Sequence, residues 1–104
     1  MSSEKLLRHI VLFRFKEEAS AEQIAETGKA FLALHDQINT IQDVEWGGAI
    51  NEPSPYTHCL LVTVGTEADL QAYGEHPAHV AIAERYGHLV EDAAVLDFWT
   101  KDSV

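Results

Sequence analysis

The chain has 104 residues, 46% hydrophobic and 23% charged, an ordinary globular composition that argues against disorder and fits a single domain over 1–104. Its net charge of −10 repels phosphate backbones and anionic bilayers, so neither nucleic acid nor a membrane is an expected partner. Apolar runs such as residues 10–13 are far too short to span a bilayer, and no signal-peptide pattern opens the sequence, so a cytoplasmic location is expected.

Residues 1–6 read as a short leader. Residues 7–15, LRHIVLFRF, read as a strand with His9, Val11, Phe13 and Phe15 on one face and Ile10 and Leu12 on the other. Apolar residues on both faces predict that both are covered, the second by another subunit. Ser20 followed by Gln23 is a capping-box pattern, so a helix is expected from Ala21 to about Gln37. Ile24, Phe31, Leu34 and Ile38 recur at helical spacing and form its apolar face. Gly28 weakens this helix by up to about 1 kcal/mol relative to alanine. It serves either close packing or room for a ligand.

Residues 44–50 read as a second strand, with Val44 and Trp46 on one face and a bulge or kink expected at Gly47-Gly48. Residues 51–55 form a turn-rich loop. Residues 56–64, YTHCLLVTV, read as a third strand in which His58, Leu60, Val62 and Val64 alternate with Cys59, Leu61 and Thr63. Cys59 is the only cysteine, so it has no partner for an internal disulfide, and its apolar setting predicts a buried structural thiol. Thr66 with Asp69 marks a short helix over 67–73. A break follows, then a helix from Pro77 to about Tyr86. Residues 88–92 lead out as a connection or a further helical turn. Residues 93–100 read as the fourth strand and 101–104 as a tail.

This β-α-β-β-α-β order is the ferredoxin-like pattern: an α+β fold with a four-stranded antiparallel sheet and helices on one face. The bare face then needs a partner. A homodimer pairing two sheets as a dimeric α/β barrel is the expected answer.

The chemistry concentrates in residues 71–83, QAYGEHPAHVAIA. Proline lacks an amide hydrogen and has a fixed φ, so Pro77 belongs at the first position of a helix. That makes His76 the cap and puts His79 in the first turn. Unpaired amides there carry positive partial charge, which biases an imidazole toward its neutral form. A neutral imidazole is a base or acceptor near neutral pH. Tyr73 can bring a hydroxyl to the same region. The bland alternative is a helix–break–helix corner whose polar residues only cap and solvate.

The ordered set His9 to Lys16, Trp46-Gly47, Tyr56 to His58, Tyr73, His76-Pro77-Ala78-His79 and Asp97-Phe98 resembles the stress-responsive A/B barrel (Dabb) family of dimeric α+β barrel proteins. The resemblance spans almost the whole chain and implies the same dimeric ferredoxin-like barrel. The family includes plant stress proteins, bacterial members of unknown role and a plant polyketide cyclase with an acid/base histidine and tyrosine in a cavity between sheet and helices. By that resemblance, Tyr73 and His79 hold those two positions, and His9 and His58 line the same cavity. Phe31 stands where the cyclase has a pocket tyrosine, and Gly74-Glu75 replaces an apolar pair before HPAH. The altered wall argues for a different substrate.

Tyr73 and His79 are therefore the candidate catalytic pair, with His9, His58, Phe31 and His76 as candidate substrate contacts. Residues 9 and 58 lie near the starts of antiparallel neighbours, so strand register decides whether both reach one cavity. His35 and His88 read as solvent-facing. His76 and His79 alone do not make a metal site, which needs three or four ligands at one point, and no metal or cofactor is expected. No Gly-rich phosphate loop, Ser-His-Asp order or haem signature is present. Three readings follow: a cofactor-free cyclase, lyase or isomerase acting on a small carbonyl compound; a non-catalytic small-ligand binder; and a structural dimer whose cavity is filled by Phe31 and Trp46.

Overall fold

The apolar alternation of Leu7–Phe15 becomes strand β1, and a helix follows where Ser20 allows it. The Ser20 side chain accepts the Gln23 amide hydrogen while the Gln23 side chain accepts the Ser20 amide hydrogen, so the full capping box closes and α1 runs Ala21–Gln37. The rest of the chain gives β2 (Ile41–Gly48), β3 (His58–Val64), α2 (Glu67–Glu75), α3 (Pro77–Tyr86), a 3-10 turn at Gly87–Leu89 and β4 (Val90–Trp99). This computed structural model describes residues 5–100. Residues 1–4 of the expected leader and the expected tail at 101–104 lie outside the described residues. No helix among the described residues is long and apolar enough to cross a membrane.

The strands form one antiparallel sheet in the order β2-β3-β1-β4, with β1 paired to both β3 and β4. The fold is ferredoxin-like, as the element order predicts, with the second helical segment split into α2 and α3. The helices cover the face carrying Val11, Phe13, Leu60, Val62 and Val64, and all five are buried there with Phe31 and Leu34 of α1. The opposite face has no helix. Ile10, Leu12 and Leu61 are only partly covered on it, and Leu96 and Phe98 are exposed. The edge strand β4 is the least protected element: Val95 and Trp99, on the helix side, are also exposed.

Several boundaries moved. Strand β2 starts at Ile41, three residues earlier than the apolar pattern suggests, and ends at Gly48. The expected bulge at Gly47-Gly48 is absent: those glycines pair in regular register with Cys59 and His58, and the irregularity falls between Ile41 and Asp43. Tyr56 and Thr57 are not strand, although the Thr57 amide still donates to the Phe13 carbonyl at 2.8 Å. Strand β4 begins at Val90 because Val90 pairs with Phe15 across a register shift. Cys59 also departs from expectation. It shares the uncovered face, so its thiol is only partly buried, and burial with Glu45 nearby raises its pKa.

Gly28 is a packing glycine. A Cβ built there would lie 2.4 Å from Trp46 Nε1 and 2.7 Å from Trp46 Cδ1. The indole has little room to yield, because Phe13 sits 5.5 Å from it, Phe31 6.0 Å and His58 5.5 Å, measured between ring centroids. Gly28→Ala is therefore expected to destabilise the fold. Overpacking costs about 1–3 kcal/mol, which outweighs the gain in helix propensity of up to about 1 kcal/mol. Urea denaturation measures the difference. A variant more stable than wild type would mean that the indole has a second resting place.

Candidate functional site

A cavity of about 350 Å³ opens between the sheet and the helices. Val11 and Phe13 of β1, Leu60 of β3, Phe31 of α1 and Ile82 of α3 make its wall apolar. Its polar end is built from His9, Tyr73 and His79. Trp46 does not line it. The indole lies nearly parallel to Phe31 and against Gly28, so Phe31 and Trp46 form the cavity's wall and the layer beside it and do not fill it.

Pro77 brings Tyr73 and His79 together. It stands at the first position of α3 as predicted, and the chain turns between α2 and α3 at His76. His76 Nδ1 accepts the Ala78 amide hydrogen at 3.0 Å, so this imidazole caps α3 with its own ring. The turn leaves the Gly74 carbonyl facing His79. A carbonyl only accepts, so His79 Nδ1–H donates to it at 3.0 Å and Nε2 is left as the free ring nitrogen. The His79 ring packs against Tyr73 with centroids 4.6 Å apart, and Tyr73 meets His9 edge-on at 5.7 Å.

Tyr73 is 2% exposed, and its hydroxyl has no hydrogen-bond partner among the described residues. Buried polar groups are almost always paired, because an unpaired one costs about 1–3 kcal/mol. Burial also raises the phenol's pKa above its ordinary 10.0, so it stays protonated and keeps a hydrogen to donate. His79 is shifted down from 6.5, chiefly by burial, although the Gly74 bond pulls upward, and nearby His9 adds to the lowering. Its imidazole is therefore neutral at pH 7.

Strand β4 contributes a partner that the sequence reading did not single out as a site residue. His9 and Asp97 are direct cross-strand neighbours, and His9 Nδ1–H donates to Asp97 Oδ1 at 2.6 Å. Asp97 thereby fixes the ring's tautomer and tilt at the cavity's polar end. It stood in a matched segment, but its pairing with a residue 88 positions away depends on strand register.

His58 and His76 lie apart from this cavity. His58 pairs with Phe13 and His9 with Val62, which separates the two imidazoles by four residues, or about 13 Å, along the sheet. His58 instead stacks on Trp46 and meets Phe15 edge-on at 5.4 Å. His76 is spent as the helix cap. Phe31 lines the cavity. His35 and His88 are exposed. Among the described residues, no three His, Cys, Asp or Glu side chains cluster as a metal site.

The lowered His79 pKa carries a sign. The unfolded imidazole titrates near 6.5 and the folded one below it, so the unfolded state binds more protons in between. The stability tied to this group is present above that range and lost as pH falls through it. His58 is shifted the same way by burial. The urea midpoint of wild type is expected to drop more than that of His79→Gln between about pH 7.5 and about pH 5.5. Equal drops would mean that the His79 imidazole is as easily protonated folded as unfolded.

A ferredoxin-like sheet, three helices on one face and a cavity with a histidine–tyrosine end define a small α+β domain with a ligand-sized site. The chain belongs to the stress responsive A/B barrel domain family, whose family model matches residues 7–100. It is 30% identical over 95 residues to olivetolic acid cyclase of Cannabis sativa, covering 88% of this chain and 94% of that protein. The structure of the hydroxynitrile lyase from Passiflora edulis superposes with a TM-score of 0.86 at 21% identity, over 99% of each chain. A Bacteroides fragilis protein of unknown function, described as dimeric and ferredoxin-like, gives 0.74 at 26% identity over 89% of this chain and 94% of its own.

Proposed function

We propose that this chain forms a cytoplasmic homodimer and is a cofactor-independent lyase, isomerase or cyclase acting on a small carbonyl compound, with Tyr73 and His79 as its acid/base pair. One observation carries this reading: a buried tyrosine hydroxyl without a partner among the described residues, beside a neutral histidine, at the polar end of an otherwise apolar cavity. The cyclase named above supports the reaction class. The altered wall at Phe31 argues for a substrate other than the one that enzyme uses.

The chemistry follows from the two groups. His79 Nε2 takes a proton from the carbon next to the carbonyl, and the C–H electron pair moves into the new enolate. Tyr73 donates a hydrogen bond to the enolate oxygen as charge gathers there. The enolate then attacks a second carbonyl in a cyclase, and the alkoxide formed takes the proton back from the His79 imidazolium, or it recovers that proton at another atom in an isomerase. The partner is a second copy seated on the bare sheet face, where Ile10, Leu12, Leu61, Leu96 and Phe98 lie together. Dimeric relatives and the apolar character of that face support it.

The test is a thermal-shift panel of small aromatic and polyketide-like carbonyl compounds, run on wild type and on His79→Ala. A compound at about 100 times its Kd stabilises the fold by roughly 2.7 kcal/mol. Hits that stabilise wild type and fade in the variant are expected, followed by turnover of at least one hit. Binding without turnover across the hits would favour a non-catalytic ligand-binding protein. A broad panel with no hit would favour a scaffold whose cavity serves no ligand.

A further inference from the structure

We infer that the cavity selects an uncharged carbonyl compound with an apolar body and rejects carboxylates and phosphates, an inference that rests on the small-carbonyl reading above. The wall itself argues for this. Among the described residues, neither a lysine nor an arginine lines the cavity. The anion nearest its polar end is Asp97, outside the lining itself, with Oδ1 2.6 Å from His9 Nδ1. With the Asp97 carboxylate ionised beside it, the pair sums to neutral or negative whether or not His9 is charged, so it offers no free cation to an incoming anion. His79 spends Nδ1–H on the Gly74 carbonyl. Thr27 spends its hydroxyl hydrogen on the Gln23 carbonyl at 2.8 Å. Among the buried wall residues, that leaves Tyr73 as the donor.

One hydroxyl suits one carbonyl oxygen. A carboxylate entering the same place would lose its hydration and find no lysine or arginine in the wall beside it, a costly arrangement for a buried ion. The net charge of −10 adds long-range repulsion before contact. Size narrows the class further. Small-molecule pockets run from about 300 to 1,000 Å³, so a cavity of about 350 Å³ suits a compound built on a single ring.

The test uses three probes of nearly one shape: acetophenone, benzamide and benzoate, titrated at neutral pH into wild type while the amide and His79 ring resonances are followed by NMR. Acetophenone and benzamide are expected to bind at least about tenfold more tightly than benzoate. Benzoate binding as tightly as benzamide, or more tightly, overturns the charge selection and leaves the small-carbonyl reading standing. Failure of all three to perturb cavity residues overturns both.

A second variant tests the cause. Val95 lines the rim and is 59% exposed, so a lysine side chain there has room and solvent. Val95→Lys supplies the missing cation and is expected to bring benzoate within about threefold of benzamide. A preference for the neutral probes that survives unchanged in this variant would mean that shape, and not charge, makes the selection.

Discussion

Tyr73→Phe is expected to make the unliganded protein more stable and less active. The substitution keeps the ring that fills the core and removes the hydroxyl that has no partner among the described residues. Relieving an unpaired buried polar group returns about 1–3 kcal/mol. For a domain of this size, each kilocalorie raises the melting midpoint by about 4–8 °C. Turnover of any substrate found in the carbonyl panel is expected to fall by about 10²–10³-fold, the usual loss when one donor to a developing oxyanion is removed. Calorimetry and steady-state kinetics on one preparation measure both. A variant that melts lower than wild type would show that the hydroxyl has a structural partner. Unchanged turnover would remove Tyr73 from the chemistry. The combination of gain and loss is the signature of a residue held in place for a ligand and not for the fold.

Leu96→Glu is expected to yield a folded monomer. Leu96 is 63% exposed in the single chain and stands opposite Ile10 on the bare sheet face. A carboxylate there costs the monomer little, because the side chain already meets water. In a face-to-face dimer it would be trapped against apolar neighbours. A penalty of about 4 kcal/mol raises a dissociation constant roughly a thousandfold. Sedimentation equilibrium should therefore give the monomer mass for the variant and twice that for wild type, with unchanged circular dichroism. A variant that stays dimeric would place the interface elsewhere, with the edge of β4 as the next surface to test.

The local signals in the sequence were enough for the helices. Ser20 with Gln23, Thr66 with Asp69 and Pro77 each mark a helix start through bonds made within a few residues, and all three starts fall where those bonds put them. Strand ends behaved differently. Val90 carries no strand signal stronger than its neighbours; it joins β4 because Phe15 lies beside it, a pairing across most of the chain. The glycine pair at 47–48 looked like a bulge, yet it stays in regular register, while the irregularity fell between Ile41 and Asp43, where no glycine announced it.

The site divides along the same line. Tyr73 and His79 are six residues apart around a proline, so their meeting was readable. The approach of His9 to that pair, its bond to Asp97 and the separation of His58 all follow from register between strands distant in sequence. Alternation placed His9 and His58 on the correct face but could not say how far apart they lie along it.

The position of β1 has a consequence for how the molecule is assembled. This strand is the first of the described elements and an interior member of the sheet, while its neighbour β4 is the last. Bringing them together closes a loop of nearly the whole domain, and non-local closures of this kind slow folding toward the millisecond-to-second range. A chain emerging from the ribosome can form α1 and the β2–β3 hairpin early. It cannot complete the sheet, or the His9–Asp97 bond, until β4 has been synthesised. The cavity's polar end is thus among the last parts to form. Until then β1 carries an unpaired apolar edge, which makes the nascent chain, more than the finished protein, the form most open to aggregation.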